Sequence, residues 1–394
     1  MLKVLHLFDE YLPPSQIWAY HLLSNLKEVE VHIGAQYFWK NNFYPDHFTF
    51  TDQLNINLDQ YATWGKRRLL VRAWLKLNQL FWTRSKLPIA YLLNYLKRNQ
   101  IDLIHTHFGP VGCEFMELAK RSGLPYIVSF YGYDYQKLPT INPSYRTRYQ
   151  QLFQQADLVL SEGPTAKQQL LQLGVPDSKA ALAPLGVVLD QIPFIARKKQ
   201  VFSLRLIQVA SFTEKKGHLY SVQAFAEAIK TCPNMKLDLI GADRDGLSLQ
   251  RVREFIESRD LGKHIRILDF VSFQELPSHL EGSDVFIHPS CVAQDGDTEG
   301  GAPVILLEAQ ASGLPIISTQ HCDIPNVVAD GNSGVLVPER NIEALVKAIK
   351  FFYAMDEQEY QLMSKKARRF ISHNYDIRDS AQTLHQYYLK LAMH

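Results

Sequence analysis

The sequence predicts an α/β protein of two domains built on mostly parallel sheets; two observations lead there, and a third marks a site. The chain has 394 residues, more than one hydrophobic core usually serves, so two domains of similar size are expected. Short apolar, β-branched runs alternate with helical patterns along both halves, as in mostly parallel sheets with helical crossovers. Finally, Glu308 stands among Val304, Ile305, Leu306, Leu307 and Ala309, just behind a glycine pair. A charge placed there is costly unless something binds it.

The first half supplies strand-like runs at Lys3–Phe8, Val29–Ala35, Leu103–Phe108, Tyr126–Phe130 and Leu158–Ser161. The opening run ends in Asp9 and Glu10, so it reads as a buried first strand and not a signal peptide. A linker is expected near Val188–Phe202, around the Arg197-Lys198-Lys199 cluster. The second series follows at Leu204–Ala210, Lys236–Ile240, Ile265–Phe270, Val285–His288, Ile316–Thr319 and Gly334–Val337, with helices such as His218–Lys230 and Leu247–Asp260 between them. Past Pro338 the pattern is almost wholly helical. The domains are therefore drawn at 1–195 and 196–375, with a terminal helix in 376–394.

Composition narrows the class. A hydrophobic fraction of 46% is that of a globular protein, and no apolar run is long enough to span a bilayer. Cys113, Cys232, Cys291 and Cys322 lack metal-ligand spacing and are expected as reduced thiols of a cytoplasmic protein. A net charge of +2 argues against a general nucleic-acid binder. Charge is nevertheless concentrated in residues 60–101, which hold nine cations and no acid, with Trp64, Trp74 and Trp82 among leucines. That composition suits a peripheral surface on anionic lipid at the cytoplasmic face of a membrane; two core-packed helices with solvated basic faces are the alternative.

In TEGGAPVILLEAQASGLPIIST, Thr298–Thr319, Pro303 suits a first helical position and Gly313 a helix end. A helix of about ten residues would start where the glycines stop, its N–H groups directed at an anion. The acidic residue, the glycines, the apolar helix and then E-A-x-A-x-G-x-P-[IV]-[IV] resemble the donor-site motif of family 4 glycosyltransferases. These are retaining enzymes of the GT-B fold that use nucleotide sugars. GDTEGGAPVILLEAQASGLP is most similar to the colanic-acid and exopolysaccharide branch of that family. The resemblance implies two Rossmann-like domains facing across a cleft, with the last helix crossing back to the first domain. It further implies that Glu308 holds the donor ribose hydroxyls, that Glu299 lies near the sugar, and that Gly300, Gly301, Ala302, Pro303 and Val304 border the donor. Eight residues separate Glu299 from Glu308 where the usual motif has seven, which puts the extra residue in the Gly300–Ala302 loop. A cap or salt bridge inside an ordinary α/β domain is the alternative for Glu308.

ASFTEKKGHLYSVQAF, Ala210–Phe225, resembles the family's loop G-R-x-x-x-x-K-G. Lys216 takes the place of the lysine that contacts the donor diphosphate, where a cation meets the charge gained by the leaving group. Ser211 replaces the arginine, so a second cation is either absent or supplied by Lys215 or Arg244. A solvated lysine turn is the alternative.

In the first domain DLIHTHFGPVG and VSFYGYD follow successive strands. They place His105, His107, Gly109, Tyr131, Gly132 and Asp134 at carboxyl ends of a parallel sheet, where open α/β folds bind ligands. VSFYGYD is similar to the family's F-H-G-x-D, with Tyr131 where the histidine approaches the sugar. A phenol hydrogen-bonds a hydroxyl but cannot become cationic. His105 and His107 are read as alternating along the strand, so that only one faces the cleft, and a structural histidine is the alternative for either. Asp295-Gly296-Asp297 is similar to a metal-binding D-x-D but belongs to the glycine loop, and GT-B enzymes generally need no divalent ion. After the first strand, Asp9 to Ser15 stand where most relatives have a Gly-Gly loop, and Ser15 reads as a helix cap.

The expected activity is transfer of a hexose-type sugar, with retention, from a UDP- or GDP-sugar to a glycan or lipid-linked acceptor. No cofactor is expected beyond that co-substrate, and no metal. Lys216, Glu299, Tyr131 and Asp134 are the catalytic candidates. Ser211, Lys215, Lys216, residues 300–304 and Glu308 are assigned to the donor, and His105, His107, Gly109 and Gly132 to the acceptor side. An epimerase or phosphorylase on the same fold is one alternative. A catalytically silent docking subunit is another, suggested by Ser211 and Tyr131 and opposed by Lys216 and Glu308. A dehydrogenase is disfavoured because no G-x-G-x-x-G follows an early strand.

Overall fold

The computed structural model describes residues 1–13, 16–39, 47–51, 56–57, 87–271 and 275–393. They form two compact units. One comprises Met1–Ser161, Lys167–Ala183 and Ser380–His394, the other Glu162–Ala166 and Pro184–Asp379.

The first unit is built on β1 (Leu2–Tyr11), β2 (Val29–Phe38), β3 (Thr49–Phe50), β4 (Ile56–Asn57), β5 (Leu103–His107), β6 (Tyr126–Ser129), β7 (Leu158–Ser161) and β8 (Ala180–Leu182). Their order is β3-β2-β1-β5-β6-β7-β8, with β4 also on β2. Every residue of β5 and β6 is buried, so both faces of these strands are covered, as in a parallel sheet flanked by helices, and His105, Thr106 and His107 are buried with the apolar residues. From β1 the chain steps outward through β2 and then returns to the other side of β1 at β5. That reversal is the topological switch point, and His6 faces His105 across it in register.

The second unit repeats the plan with β9 (Leu204–Val209), β10 (Met235–Ile240), β11 (Ile265–Leu268), β12 (Val285–His288), β13 (Ile316–Thr319) and β14 (Gly334–Val337), ordered β11-β10-β9-β12-β13-β14. Here the switch lies between β9 and β12. Neighbouring residues serve opposite faces: Leu206, Leu239, Ile287 and Ile317 enter one apolar cluster, while Ile207, Ile240, Phe286 and Ile316 enter the other.

All eleven expected strands are present; β3, β4 and β8 are additions of two or three residues. The supposed linker is stitched into the second unit by Val187 N to Tyr375 O (2.9 Å), Ile195 N to Ser312 O (3.0 Å) and Phe202 N to Tyr353 O (2.9 Å). Arg197, 3% exposed, donates to the carbonyls of Ser312 and Leu280. The second unit thus takes in the chain from Pro184 onward. At the other end lies the helix Ile377–Ala392, whose residues from Ser380 belong with the first unit. Its Tyr387 hydroxyl donates to Leu182 O at 2.9 Å.

No described helix is long and apolar enough to cross a membrane. Ser15 and most of the basic stretch, residues 58–86 with the three tryptophans, lie outside the described residues. The remainder of that stretch is largely the helix Leu87–Asn99, which buries Leu92 and Leu96 and exposes Lys97 and Arg98.

Candidate active site

The chain leaves β9 at Val209 and turns at the switch point of the second sheet. Phe212, fully buried, anchors the loop through its N–H on Ala242 O at 2.9 Å. Glu214–Lys216 then forms a 3₁₀ turn closed by Gly217 at φ 71°. A Cβ on Gly217 would lie 2.0 Å from the Pro289 carbonyl oxygen, so only glycine fits. This close approach seats the lysine pair on the segment after β12, where Cys291 N donates to Lys215 O at 3.0 Å.

The charges of the two loops interlock. Lys216 Nζ lies 2.5 Å from Glu299 Oε2. Glu299 Oε1 accepts from Ser290 Oγ at 2.7 Å and lies 3.2 Å from His288 Nε2. The Glu299 side chain is only 4% exposed. Burial alone would push its carboxyl up, but Lys216 and His288 outweigh that and hold it well below the usual range. Lys215 Nζ reaches Asp297 Oδ1 at 3.2 Å and Thr298 O at 2.9 Å. One carboxylate of the Asp-Gly-Asp sequence is thus tied to a lysine, and the lysine pair is not a solvated turn. Ser211 is half-buried and Arg244 exposed beside this loop.

Gly300, at φ 81°, turns the chain toward the helix Val304–Ala311. That helix has eight residues, fewer than expected, because Pro303 is its cap, with extended ψ of 126°, instead of its first residue. Leu306, Leu307 and Ala309 are buried, and Ala302 and Val304 pack partly against the same cluster, so the side chains of these two face the core. Glu308 is half-buried. Burial pushes its carboxyl up to about 7, and among the described residues it makes neither a cap nor a salt bridge.

At the switch point of the first unit, His107 Nε2 lies 3.0 Å from His6 Nδ1, and His107 Nδ1 lies 2.7 Å from the Tyr131 hydroxyl. His105 bonds the Tyr388 hydroxyl (2.7 Å) and Ser129 Oγ (2.8 Å). The expectation that only one of His105 and His107 faces the site side of the sheet is overturned. Positions two apart on a strand share a face, and the two rings stack with centroids 4.3 Å apart. Nitrogens of His6, His105 and His107 lie within 4.8 Å of one another, near enough to hold a metal ion. Both nitrogens of His105 and of His107 are nevertheless hydrogen-bonded within the protein, and burial keeps all three rings neutral, His105 down to about 3.

Asp134, buried, accepts from Gly109 N at 3.0 Å and Tyr131 N at 3.1 Å. Burial raises its carboxyl to about 6, against the pull of those bonds. It holds the Tyr131–Gly132 turn, with Gly132 at φ 116°, against the start of the helix Gly109–Ser122. Gly109 answers a packing demand, since a Cβ there would lie 2.3 Å from the Phe130 ring. Tyr131 lies with its ring centroid 4.5 Å from that of Trp18. The structure also brings in His6, His288, Ser290 and His321, which the motifs do not mark. His288 and Ser290 flank a proline at the carboxyl end of a strand, and that position was their one signal.

The family described as Glycosyl transferases group 1 matches residues 195–370, and that described as Glycosyltransferase Family 4 matches residues 48–191. The Escherichia coli protein named as the colanic acid biosynthesis glycosyltransferase WcaL is 31% identical over 277 residues, 70% of this chain and 67% of that protein. The amylovoran biosynthesis glycosyltransferase AmsK of Erwinia amylovora is 30% identical over 62% of this chain and 59% of its own length. Among solved structures, Anabaena HepE in complex with UDP aligns at a TM-score of 0.73 and 13% identity, covering 99% of this chain and 100% of that one; this likeness is one of fold. Fold, site loops and sequence similarity together place the chain in glycosyltransferase family 4, of the GT-B fold, on its colanic-acid and exopolysaccharide branch.

Proposed function

We propose that this protein transfers a hexose-type sugar, with retention of anomeric configuration, from a UDP- or GDP-sugar to a glycan or lipid-linked acceptor in exopolysaccharide biosynthesis. The observation that carries the proposal is the Lys216–Glu299 pair at the β9/β12 switch point, where a diphosphate would meet an ammonium group already held in place. The acceptor hydroxyl attacks the face from which the diphosphate departs, and the diphosphate takes the acceptor proton. Lys216 and the start of the helix Val304–Ala311 stabilise the charge that grows on the leaving group. Glu308, whose carboxylate has no protein partner among the described residues, takes the ribose hydroxyls. The UDP complex of HepE and the names of WcaL and AmsK support the donor class and the pathway class respectively.

Thermal-shift screening against nucleoside diphosphates and their sugars tests this. A ligand at 100 times its Kd contributes roughly 2.7 kcal/mol, or roughly 5–10 °C for a unit of this size. Uridine or guanosine diphosphate is expected to shift the melt, and silence across the panel would sink the donor assignment in favour of a docking subunit. A lipid-linked acceptor also suits residues 60–101 as a contact with anionic lipid, each cation near such a surface contributing about 1 kcal/mol. The full chain is expected to float with vesicles containing anionic lipid and not with neutral ones; equal behaviour in both removes the electrostatic contact.

A further inference from the structure

We propose that His321 is a positioning residue for Glu299: its neutral imidazole accepts the Glu299 backbone N–H, and Glu339 fixes the tautomer that makes this possible. The proposal deepens the reading of the Lys216–Glu299 site and rests on it.

The His321 side chain is 1% exposed, two residues beyond β13. Its Nε2 lies 3.2 Å from Glu299 N, and its Nδ1 lies 2.7 Å from Glu339 Oε1, just beyond β14. A backbone N–H only donates and a carboxylate only accepts, so the proton sits on Nδ1 and Nε2 is bare. The other Glu339 oxygen accepts Val292 N at 2.9 Å, so the same carboxylate also holds the start of the loop that carries Glu299. His321 and Glu339 therefore bind the Val292–Glu299 loop at both ends, and that loop places the carboxylate paired with Lys216.

Protonation would reverse the contact. A proton on Nε2 confronts the Glu299 N–H with a second N–H, and the loop must move. The groups facing the ring are Glu339, the Cys322 thiol 3.2 Å from Nε2, Glu299 with Lys216 behind it, and His288. Burial disfavours the imidazolium, but Cys322 and Glu339 outweigh it and raise the ring above the ordinary histidine value. The linkage has an unusual sign. With the folded value raised, the ion pair with Glu339 contributes its full stability below the unfolded value of about 6.5, and that contribution is lost as pH rises through the folded value. Acidification thus strengthens this pair while displacing the Glu299 backbone, so stability and turnover should diverge, which a merely structural histidine would not produce.

The full chain labelled with ¹⁵N-histidine tests this by imidazole NMR between pH 5.5 and 9, with His321→Gln assigning the signal. Release of nucleoside diphosphate from a panel of UDP- and GDP-sugars is followed over the same range. The expected signal carries its proton on Nδ1 at high pH and titrates with a midpoint above the ordinary histidine value, and Glu339→Gln lowers that midpoint. The acid-side loss of turnover should move to lower pH in Glu339→Gln. It should shrink in His321→Gln, whose amide oxygen can accept from Glu299 N without titrating. A proton found on Nε2, a midpoint that Glu339→Gln leaves in place, or the same acid limb in all three proteins would overturn the proposal. If no donor in the panel is cleaved, the donor reading fails by itself, and the tautomer and midpoint decide the role of His321.

Discussion

Lys216→Ala is expected to lower turnover by roughly 100- to 1,000-fold, the usual effect of removing one group that stabilises developing charge. It should also destabilise the ligand-free protein. Breaking a buried pair by removing one partner costs roughly 3–5 kcal/mol, because the remaining charge is stranded. Here the cost should lie below that range, about 2–3 kcal/mol, since Glu299 keeps Ser290 Oγ and His288 Nε2 and Lys216 itself is 18% exposed. The pH dependence has a definite sign. Glu299 is held well below its ordinary value, so the stability it contributes is complete above the unfolded carboxyl value of about 4.5 and is lost only as pH falls through its depressed value. Adding Glu299→Gln to Lys216→Ala should recover most of the stability, because no unpaired charge then remains, and should not recover turnover. Denaturant unfolding of the single and double variants, with steady-state kinetics and a donor-binding titration, separates the two effects. Near-parental turnover and donor affinity in a folded Lys216→Ala protein would show that the site assignment is wrong.

What the sequence made legible follows from how each feature is encoded. Strands such as β5, β6, β12 and β13 are buried at every residue, so none shows a polar face alternating with an apolar one; each opens on two or three apolar or aromatic residues, and β5 then continues through His105, Thr106 and His107. Two-residue strands such as β3 and β4 have no period to detect. Lys216, Gly217, Gly300 and Glu308 were legible because backbone conformation and charge confine their residue types locally. The groups around them were not, since Lys216 and Glu299 are 83 positions apart and His105 meets Tyr388 across 283. His6 enters the first site only through the register of β1 on β5. His321 and Glu339 arrive from the ends of two further strands. The packing of the segment before β9 was hidden for a different reason. A run of Arg197, Lys198 and Lys199 suggests solvent, yet Arg197 and Lys199 are each 3% exposed, their charged ends bonded to carbonyls. Nothing in the residue types announces that arrangement. The histidine error was one of direction, because spacing of two on a strand means the same face.

Glu308→Gln is expected to act in the opposite sense on stability, and this opposition is the most discriminating test of the donor site. Burial lifts the Glu308 carboxyl to about 7 without any compensating partner among the described residues, so its ionised form is held in the ligand-free protein at a cost. Because the folded value exceeds the unfolded one, that cost is absent below pH about 4.5, grows between there and about 7, and is constant above. At pH 8 it amounts to roughly 2 kcal/mol, reduced from the full shift because the residue is partly exposed. The glutamine variant should therefore be more stable than the parent at pH 8, by an amount that vanishes toward pH 4.5. Donor affinity should move the other way, since charge-assisted hydrogen bonds to ribose hydroxyls contribute roughly 1.5–3 kcal/mol, equivalent to a loss of about 10- to 150-fold. Those contacts hardly change during reaction, so turnover at saturating donor should stay close to that of the parent. Unfolding at pH 8 and pH 5, beside titration with whichever of UDP and GDP binds, measures both quantities. A stabilised variant with unaltered nucleotide affinity would leave Glu308 a strained carboxylate that does not touch the donor; weakened affinity without stabilisation would show that some other group already offsets its charge. Only the combination, stability gained and affinity lost, identifies a carboxylate kept partnerless in the free protein for a ligand to complete.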